Sequence, residues 1–163
     1  MEQPLSALAV LARRLEAGEV VHRPDVSGLG HDTFVRETLG LRFDEFARDR
    51  IVGHLEPGPQ HWQNAGIVHG GVWCAVVETL ASWGAALRVA TAGREVVGVS
   101  NRTEFLRPHR TGRIDAVASL VDEVGHLQWW DVVLTRARDG EPVARGSVRL
   151  QQLRARAGAT AAG

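Results

Sequence analysis

A single carboxylate lies within a long apolar segment of this sequence. From Gly70 to Leu87 the segment reads GGVWCAVVETLASWGAAL, and Glu78 is its one charged residue. Apolar residues recur in it at helical spacing and most other positions are small, which predicts a helix buried nearly all round. Burying a carboxylate without a partner costs free energy. Glu78 is therefore either structural, as part of an ion pair or as a carboxyl neutralised in the core, or a group that does acid–base or nucleophilic chemistry.

Two glycines open the predicted helix. At Gly70 and Gly71 no side chain blocks the N–H groups of the first turn, which have no partners within the helix. The helix dipole adds partial positive charge at this end, which favours a polarised carbonyl or a developing oxyanion. Glu78 follows Gly70 by about 12 Å along an ideal helix axis. Ser82 shares the face of Glu78 because it lies four residues further on. This spacing predicts carbonyl chemistry along one face of the helix.

The rest of the sequence predicts the elements that must hold this helix. Apolar and polar residues alternate, or β-forming residues cluster, at 96–106, 114–120, 129–136 and 143–150, as in strands. Gly125-His126 and Asp139-Gly140 are turn signals between them. A long helix followed by an antiparallel meander is an α+β fold, with the sheet wrapped around the helix. Before the helix, residues 31–48 predict a short helix and strand covering one core edge, through Phe34, Leu39, Leu41, Phe43 and Phe46.

The chain of 163 residues fits one domain. We predict an N-terminal helix and loop extension at 1–30, the main domain at 31–153 and a C-terminal tail at 154–163. The N-terminal helix is indicated by apolar residues at helical spacing, namely Leu5, Leu8, Ala9, Ala12 and Leu15.

Composition narrows the class of protein. Basic and acidic residues number 19 each, so the formal net charge is zero, which argues against a nucleic-acid or anionic-membrane partner. Cys74 is the one cysteine, so no disulfide framework is expected. The N-terminus lacks the pattern of a secretory leader, and the apolar segment is short and charged for a membrane span. These features predict a soluble cytoplasmic protein.

Three sequence blocks resemble one family. GIVHGGVWCAVVETLAS at 66–82 resembles the G-x-x-HGG-x(6)-E segment of hotdog-fold acyl-CoA thioesterases of the PaaI-like group. It is most similar to the glutamate-using 4-hydroxybenzoyl-CoA thioesterase branch and to the proofreading thioesterase of enterobactin synthesis. The likeness continues through VVGVSNRTEFLRP at 96–108 and VARGSVRLQQL at 143–153. It implies a hotdog fold, hydrolysis of an aromatic or medium-chain acyl-CoA without a cofactor, and a homodimer assembled into a homotetramer.

The resemblance also implies roles for individual residues. Glu78 matches the catalytic acid, which acts as nucleophile on the thioester or as general base on water. Gly70 matches the residue whose N–H polarises the thioester carbonyl. Gln63 matches a glutamine that positions the thioester or the water, and Ser82 matches a hydroxyl residue that assists the carboxylate. These residues are expected to meet at a dimer interface.

Five further residues are expected to bind substrate. His69 and Gly71 belong to the HGG motif, where His69 holds the loop or contacts substrate. Trp73 departs from the tyrosine or smaller residue of related sequences and is expected to reshape the acyl pocket. Arg107 and Arg149 match positions where basic side chains meet the coenzyme A phosphates.

The sequence offers less support for other kinds of site and function. His54, His61 and His69 lack metal-ligand spacing, so no metal site is expected. The basic run Arg102, Arg107, Arg110 and Arg113 fits a solvated strand edge as well as a phosphate site. A non-catalytic hotdog module that binds acyl-CoA as a sensor or scaffold is the alternative function. A hotdog dehydratase would more often use a histidine base.

Overall fold

The computed structural model describes residues 6–29 and 33–154. Within them, seven antiparallel strands form one sheet in the order β1-β2-β3-β5-β6-β7-β4. A 20-residue helix, α2, packs against the sheet. A shorter helix, α1, packs against α2 and the turn that follows it. The elements are α1 Ala7–Glu16, β1 Val21–His22, β2 Arg42–Ala47, β3 Arg50–Leu55, α2 Gly70–Val89, β4 Arg94–Phe105, β5 Ile114–Val124, β6 Leu127–Arg136 and β7 Pro142–Arg154.

The α+β class is confirmed, but the sheet is not a plain meander after the helix. Strand β3 precedes α2 and pairs with β5, whereas β4 follows α2 and crosses to the far edge to pair with β7. The hairpin turns at Gly125 and Gly140 are confirmed, and both glycines have positive φ, 62° and 71°. The outcome is a sheet with α2 across one face and β4 at its edge.

Close approach of α2 to the sheet depends on small residues. A Cβ atom on Gly84 would lie 2.5 Å from the ring of Trp130, and one on Gly146 would lie 2.5 Å from Val77. On β6, Trp130, Val132 and Leu134 are all fully buried, as the period-2 pattern predicted. The helix therefore rests directly on the inner face of the sheet.

Helix α2 is not buried on every side of the single chain. Val76, Val77 and Leu80 are fully buried, whereas Cys74, Glu78 and Ser82 are half-buried. By length and composition, the segment Gly70–Ala92 could cross a membrane. Half of its most apolar 18-residue stretch, however, is buried inside the fold. Within the single chain, burial of α2 is thus limited to the faces that meet the sheet, because β4 is an edge strand and leaves one helix face open.

The segment before β2 differs in detail from its prediction. Phe34 begins a one-turn helix with i→i+5 bonding, Phe34–Thr38, and is 52% exposed, so its predicted core role was wrong. The turn instead directs Val35 and Leu39 inward, four residues apart. In α1 the cap is Ser6, whose hydroxyl accepts from the N–H of Ala9. Leu5 and the tail at 155–163 lie outside the described residues.

Candidate active site

The entry to α2 is held by two histidines. His69 is the N-cap, and its Nδ1 accepts a hydrogen bond from the N–H of Gly71 at 2.9 Å. The N–H of His69 donates to the carbonyl of His61 at 2.8 Å. His61 is itself buried, with Nδ1 accepting from Gly58 and Nε2 donating to the carbonyl of Thr38. These bonds fix the start of the helix.

The first residue of α2 leaves its backbone N–H available. Within residues 6–29 and 33–154, no group accepts a hydrogen bond from the N–H of Gly70. The Phe105 ring covers the Cα of Gly70 so closely that an added Cβ would lie 2.7 Å from it. A donor at a helix start, with the dipole behind it, suits a carbonyl oxygen that gains charge during reaction.

Glu78 lies on the same helix row as this N–H. Gly70, Cys74, Glu78 and Ser82 follow one another at i,i+4 spacing and none is fully buried. In the part of the chain that the structure describes, no basic side chain forms an ion pair with Glu78. The geometry therefore does not favour the structural ion pair as an explanation of this carboxylate.

Neutral donors surround the Glu78 carboxylate instead. The Nδ2 of Asn101 donates to Oε2 at 3.0 Å. The hydroxyl of Ser82 donates to Oε1 at 3.4 Å, a long bond by the usual distances. Glu78 and Ser82 thus meet as the resemblance implied, with Asn101 as the nearer partner.

Asn101 did not emerge from the sequence. A β-bulge between Gly98 and Ser100 shifts the register of β4, so the side chains that face the helix change from even to odd positions. Gly98 faces Glu78 before the bulge, and Asn101 faces it afterwards. The available signal was an asparagine in a strand, where this residue type is depleted.

A pocket of about 480 Å³ opens at the N-terminus of α2. It brings together most of the residues expected to bind substrate, and its walls are mainly apolar. Glu78 and Ser82 lie beyond it, further along the helix. The lining residues are Gln63, Ile67, Val68, His69, Gly70, Gly71, Trp73, Phe105, Leu106, Arg107, Pro108 and His109.

The aromatic wall of this pocket is ordered by packing. Trp73 is 3% exposed, and its ring lies 6.2 Å from that of His109, centroid to centroid. The Nε2 of His109 donates to the carbonyl of Gly112 at 3.0 Å, and the carbonyl of His109 accepts from Val68. Trp73 thus lines the pocket and is part of the core at the same time.

The two arginines expected to meet phosphates lie apart. Arg107 lines the pocket, where it forms an ion pair with Glu141 at 2.8 Å and donates to the carbonyl of Pro142. Arg149 lies on the outer face of β7, because its neighbours Val148 and Leu150 are buried, and its Nε donates to Ser100. The structure does not bring Arg149 to the pocket.

The described residues offer little for a metal. No group of three or more His, Cys, Asp or Glu side chains in residues 6–29 and 33–154 has the arrangement to hold an ion. Cys74 is half-buried on the site face of α2, and its carbonyl accepts from Asn101 at 3.1 Å. The chemistry available is that of a carboxylate, amides, a hydroxyl and a helix N-terminus.

Known proteins are similar to this chain in architecture and in sequence. Residues 65–143 match the family described as Thioesterase superfamily. Rv1847 of Mycobacterium tuberculosis is 41% identical over 120 residues, which cover 72% of this chain and 85% of that protein. Its structure has a TM-score of 0.71 at 38% identity, over 75% of this chain and 98% of that one.

Two further proteins extend the comparison. The 1,4-dihydroxy-2-naphthoyl-CoA thioesterase 2 of Arabidopsis thaliana is 36% identical over 104 residues, 63% of this chain and 65% of that protein. PaaI of E. coli, from the phenylacetic acid degradation operon, has a TM-score of 0.69 at 16% identity, a likeness of fold over 92% of this chain and 96% of that one. The resemblance to PaaI-like hotdog thioesterases is confirmed. The chain belongs to the thioesterase superfamily and is a thioester hydrolase with the hotdog fold.

Proposed function

We propose that this protein hydrolyses the thioester of an acyl-CoA with an aromatic or medium-chain acyl group, using Glu78 as nucleophile or general base. The observation that carries the proposal is a carboxylate with no ion-pair partner among the described residues, on the same helix row as the N–H of Gly70, from which no described group accepts a hydrogen bond. Family membership supports the reaction type, and the geometry of Glu78 and Gly70 supports these two residues as the groups proposed to perform it.

The N–H of Gly70 and the carboxylate of Glu78 lie about 12 Å apart along one helix axis, so we place the thioester between Gly70 of one protomer and the partner subunit's Glu78. The thioester carbonyl oxygen accepts the N–H of Gly70, which stabilises the negative charge that develops on it. In one route Glu78 attacks the carbonyl carbon, the C–S bond breaks, coenzyme A leaves as a thiol after protonation, and water hydrolyses the resulting anhydride. In the other route Glu78 takes a proton from a water molecule that attacks directly. Both routes consume one water and release a carboxylic acid and a thiol.

The pocket at the helix start supports the choice of acyl group. Trp73, Phe105 and His109 give it aromatic walls, and its volume of about 480 Å³ suits a ring system or a medium chain. The Arabidopsis relative is named for an aromatic acyl-CoA. Gln63, His69 and Arg107 line the same pocket. Gln63 and His69 are proposed to orient the thioester, and Arg107 to meet coenzyme A phosphates.

We propose that the active unit is a homodimer, assembled further into a homotetramer, in the cytoplasm. Strand β4 is an edge strand, so its outer backbone groups are open to pairing. Val97, Val99 and Phe105 on it are between 44% and 58% exposed. A second copy along β4 would cover these side chains and the open face of α2 that carries Glu78.

Release of free thiol from a panel of acyl-CoAs tests the function. Benzoyl-, naphthoyl-, octanoyl- and acetyl-CoA would be compared at equal enzyme concentration, and kcat/KM should be highest for an aromatic or medium-chain member. Folded protein that binds the panel without releasing thiol would contradict the proposal and indicate a binding module.

A further inference from the structure

We infer that Asn101 is a positioning residue that holds the Glu78 carboxylate in its reactive orientation. The inference deepens the proposed function and rests on it. Three hydrogen bonds converge on the Asn101 amide, which links edge strand β4 to helix α2. Through Asn101, strand β4 orients the carboxylate of Glu78 on α2.

The orientation of the amide is determined by its partners. The carbonyl of Cys74 can only accept, so the group 3.1 Å from it must be the NH₂ of Asn101. The hydroxyl of Thr103 donates to Oδ1 of Asn101 at 2.7 Å, which is consistent with the same assignment. One hydrogen of Nδ2 is thus directed to the Cys74 carbonyl, and the other to Oε2 of Glu78.

The two oxygens of Glu78 are consequently unequal. Oε2 accepts a bond of ordinary length from Asn101, whereas from the described residues Oε1 accepts only the long bond from Ser82. Oε1 also lies above Gly98, where an added Cβ would be 2.6 Å away. Oε1 is therefore the oxygen left to attack the carbonyl carbon or to take a proton from water, while Oε2 is held.

Kinetics of Asn101 variants test this role on whichever acyl-CoA the wild type hydrolyses. Asn101→Ala removes the donor, and we expect kcat to fall about 10- to 100-fold with KM changed less than about threefold, as for misplacement of a reacting group. Asn101→Asp adds like charge beside Glu78 and should lose more. Thr103→Val should give a smaller loss, since it removes only the bond that orients the amide.

Repeating Asn101→Ala in a Glu78→Asp variant separates positioning of the carboxylate from a general structural effect. In Glu78→Asp the shorter side chain no longer meets Asn101, so adding Asn101→Ala should cost less than about threefold in kcat. The matched control is Asp131→Asn, which is exposed on the outer face of β6, a strand that does not pair with β4, and lies outside the pocket lining, so it should keep wild-type kcat. Melting temperatures of all variants check folding.

Each outcome is decisive. A kcat of Asn101→Ala within twofold of an active wild type would overturn the inference and leave the proposed function standing. Equal losses in the Glu78 and Glu78→Asp backgrounds, or a loss confined to KM, would also overturn it. A folded wild type that hydrolyses no acyl-CoA would instead be a failure of the proposed function.

Discussion

Gly98 lies directly beneath the carboxylate of Glu78. A Cβ atom on this glycine would be 2.6 Å from Oε1, closer than such atoms approach in proteins. The φ of Gly98 is not in the left-handed region, so the residue is small for reasons of space. The β-bulge that follows it turns Asn101 towards the same carboxylate from the other side. Strand β4 thus makes room for Glu78 and binds it.

Gly98→Ala should damage activity more than stability. The obstructing atom is the end of a flexible side chain, so the carboxylate moves aside and unfolding free energy should change by less than about 1 kcal/mol. The displaced carboxylate should lower kcat by about tenfold or more. Gly28→Ala is the matched control, because a Cβ there meets nothing within 4 Å. Wild-type kcat in Gly98→Ala would contradict the placement of Glu78.

Gly84→Ala should show the reverse pattern. Its Cβ would lie 2.5 Å from the ring of Trp130, which is fully buried and cannot turn away. Overpacking of this kind costs about 1–3 kcal/mol of unfolding free energy, measurable by urea denaturation. A second change, Trp130→Phe, should recover part of that loss by removing ring atoms. An unchanged unfolding free energy in Gly84→Ala would contradict the close packing of α2 against Trp130.

Gly70→Ala should disturb the pocket through Phe105. The added Cβ would lie 2.7 Å from the ring, which must therefore turn aside. We expect kcat/KM to fall about tenfold because the ring enters the substrate space. Shortening the ring residue in Gly70→Ala/Phe105→Ala should restore part of the rate. If the double variant is no better than the single one, the loss has another origin.

His69 should stabilise the protein as the N-cap of α2. His69→Ala removes the acceptor for the N–H of Gly71, at a cost of about 1 kcal/mol of unfolding free energy. His69→Asn supplies another good N-cap and should restore most of that stability. Urea denaturation of the three proteins measures the difference. Equal destabilisation by Ala and Asn would show that the cap bond is not what His69 contributes.

The helix that carries Glu78 could be predicted because the signals that indicate it all lie within the segment that forms it. Apolar spacing and two opening glycines placed its start at Gly70, and the structure ends it at Val89, two residues beyond the predicted Leu87. The β6 pattern was equally local, with Trp130, Val132 and Leu134 all inward.

What could not be predicted depends on contacts between distant segments. Strand β3 has Gly53 and His54 in its middle, which weaken the strand pattern, and it is stabilised by pairing with β2 and β5. The role of Asn101 requires a bulge that reverses the alternation of β4, and a bulge depends on the partner strand. The open face of α2 likewise follows from strand order, which residue types do not specify.

The turnover of Glu78→Gln tests the central claim most directly. The substitution keeps the shape of the side chain while removing its charge and basicity. The matched control is Glu37→Gln, an exposed glutamate in the one-turn helix before β2. With the best acyl-CoA of the panel, we predict that kcat falls by about 10²- to 10⁴-fold in Glu78→Gln and stays at the wild-type value in the control. A folded Glu78→Gln protein with kcat within threefold of the wild type would contradict the assignment of Glu78 as the catalytic carboxylate.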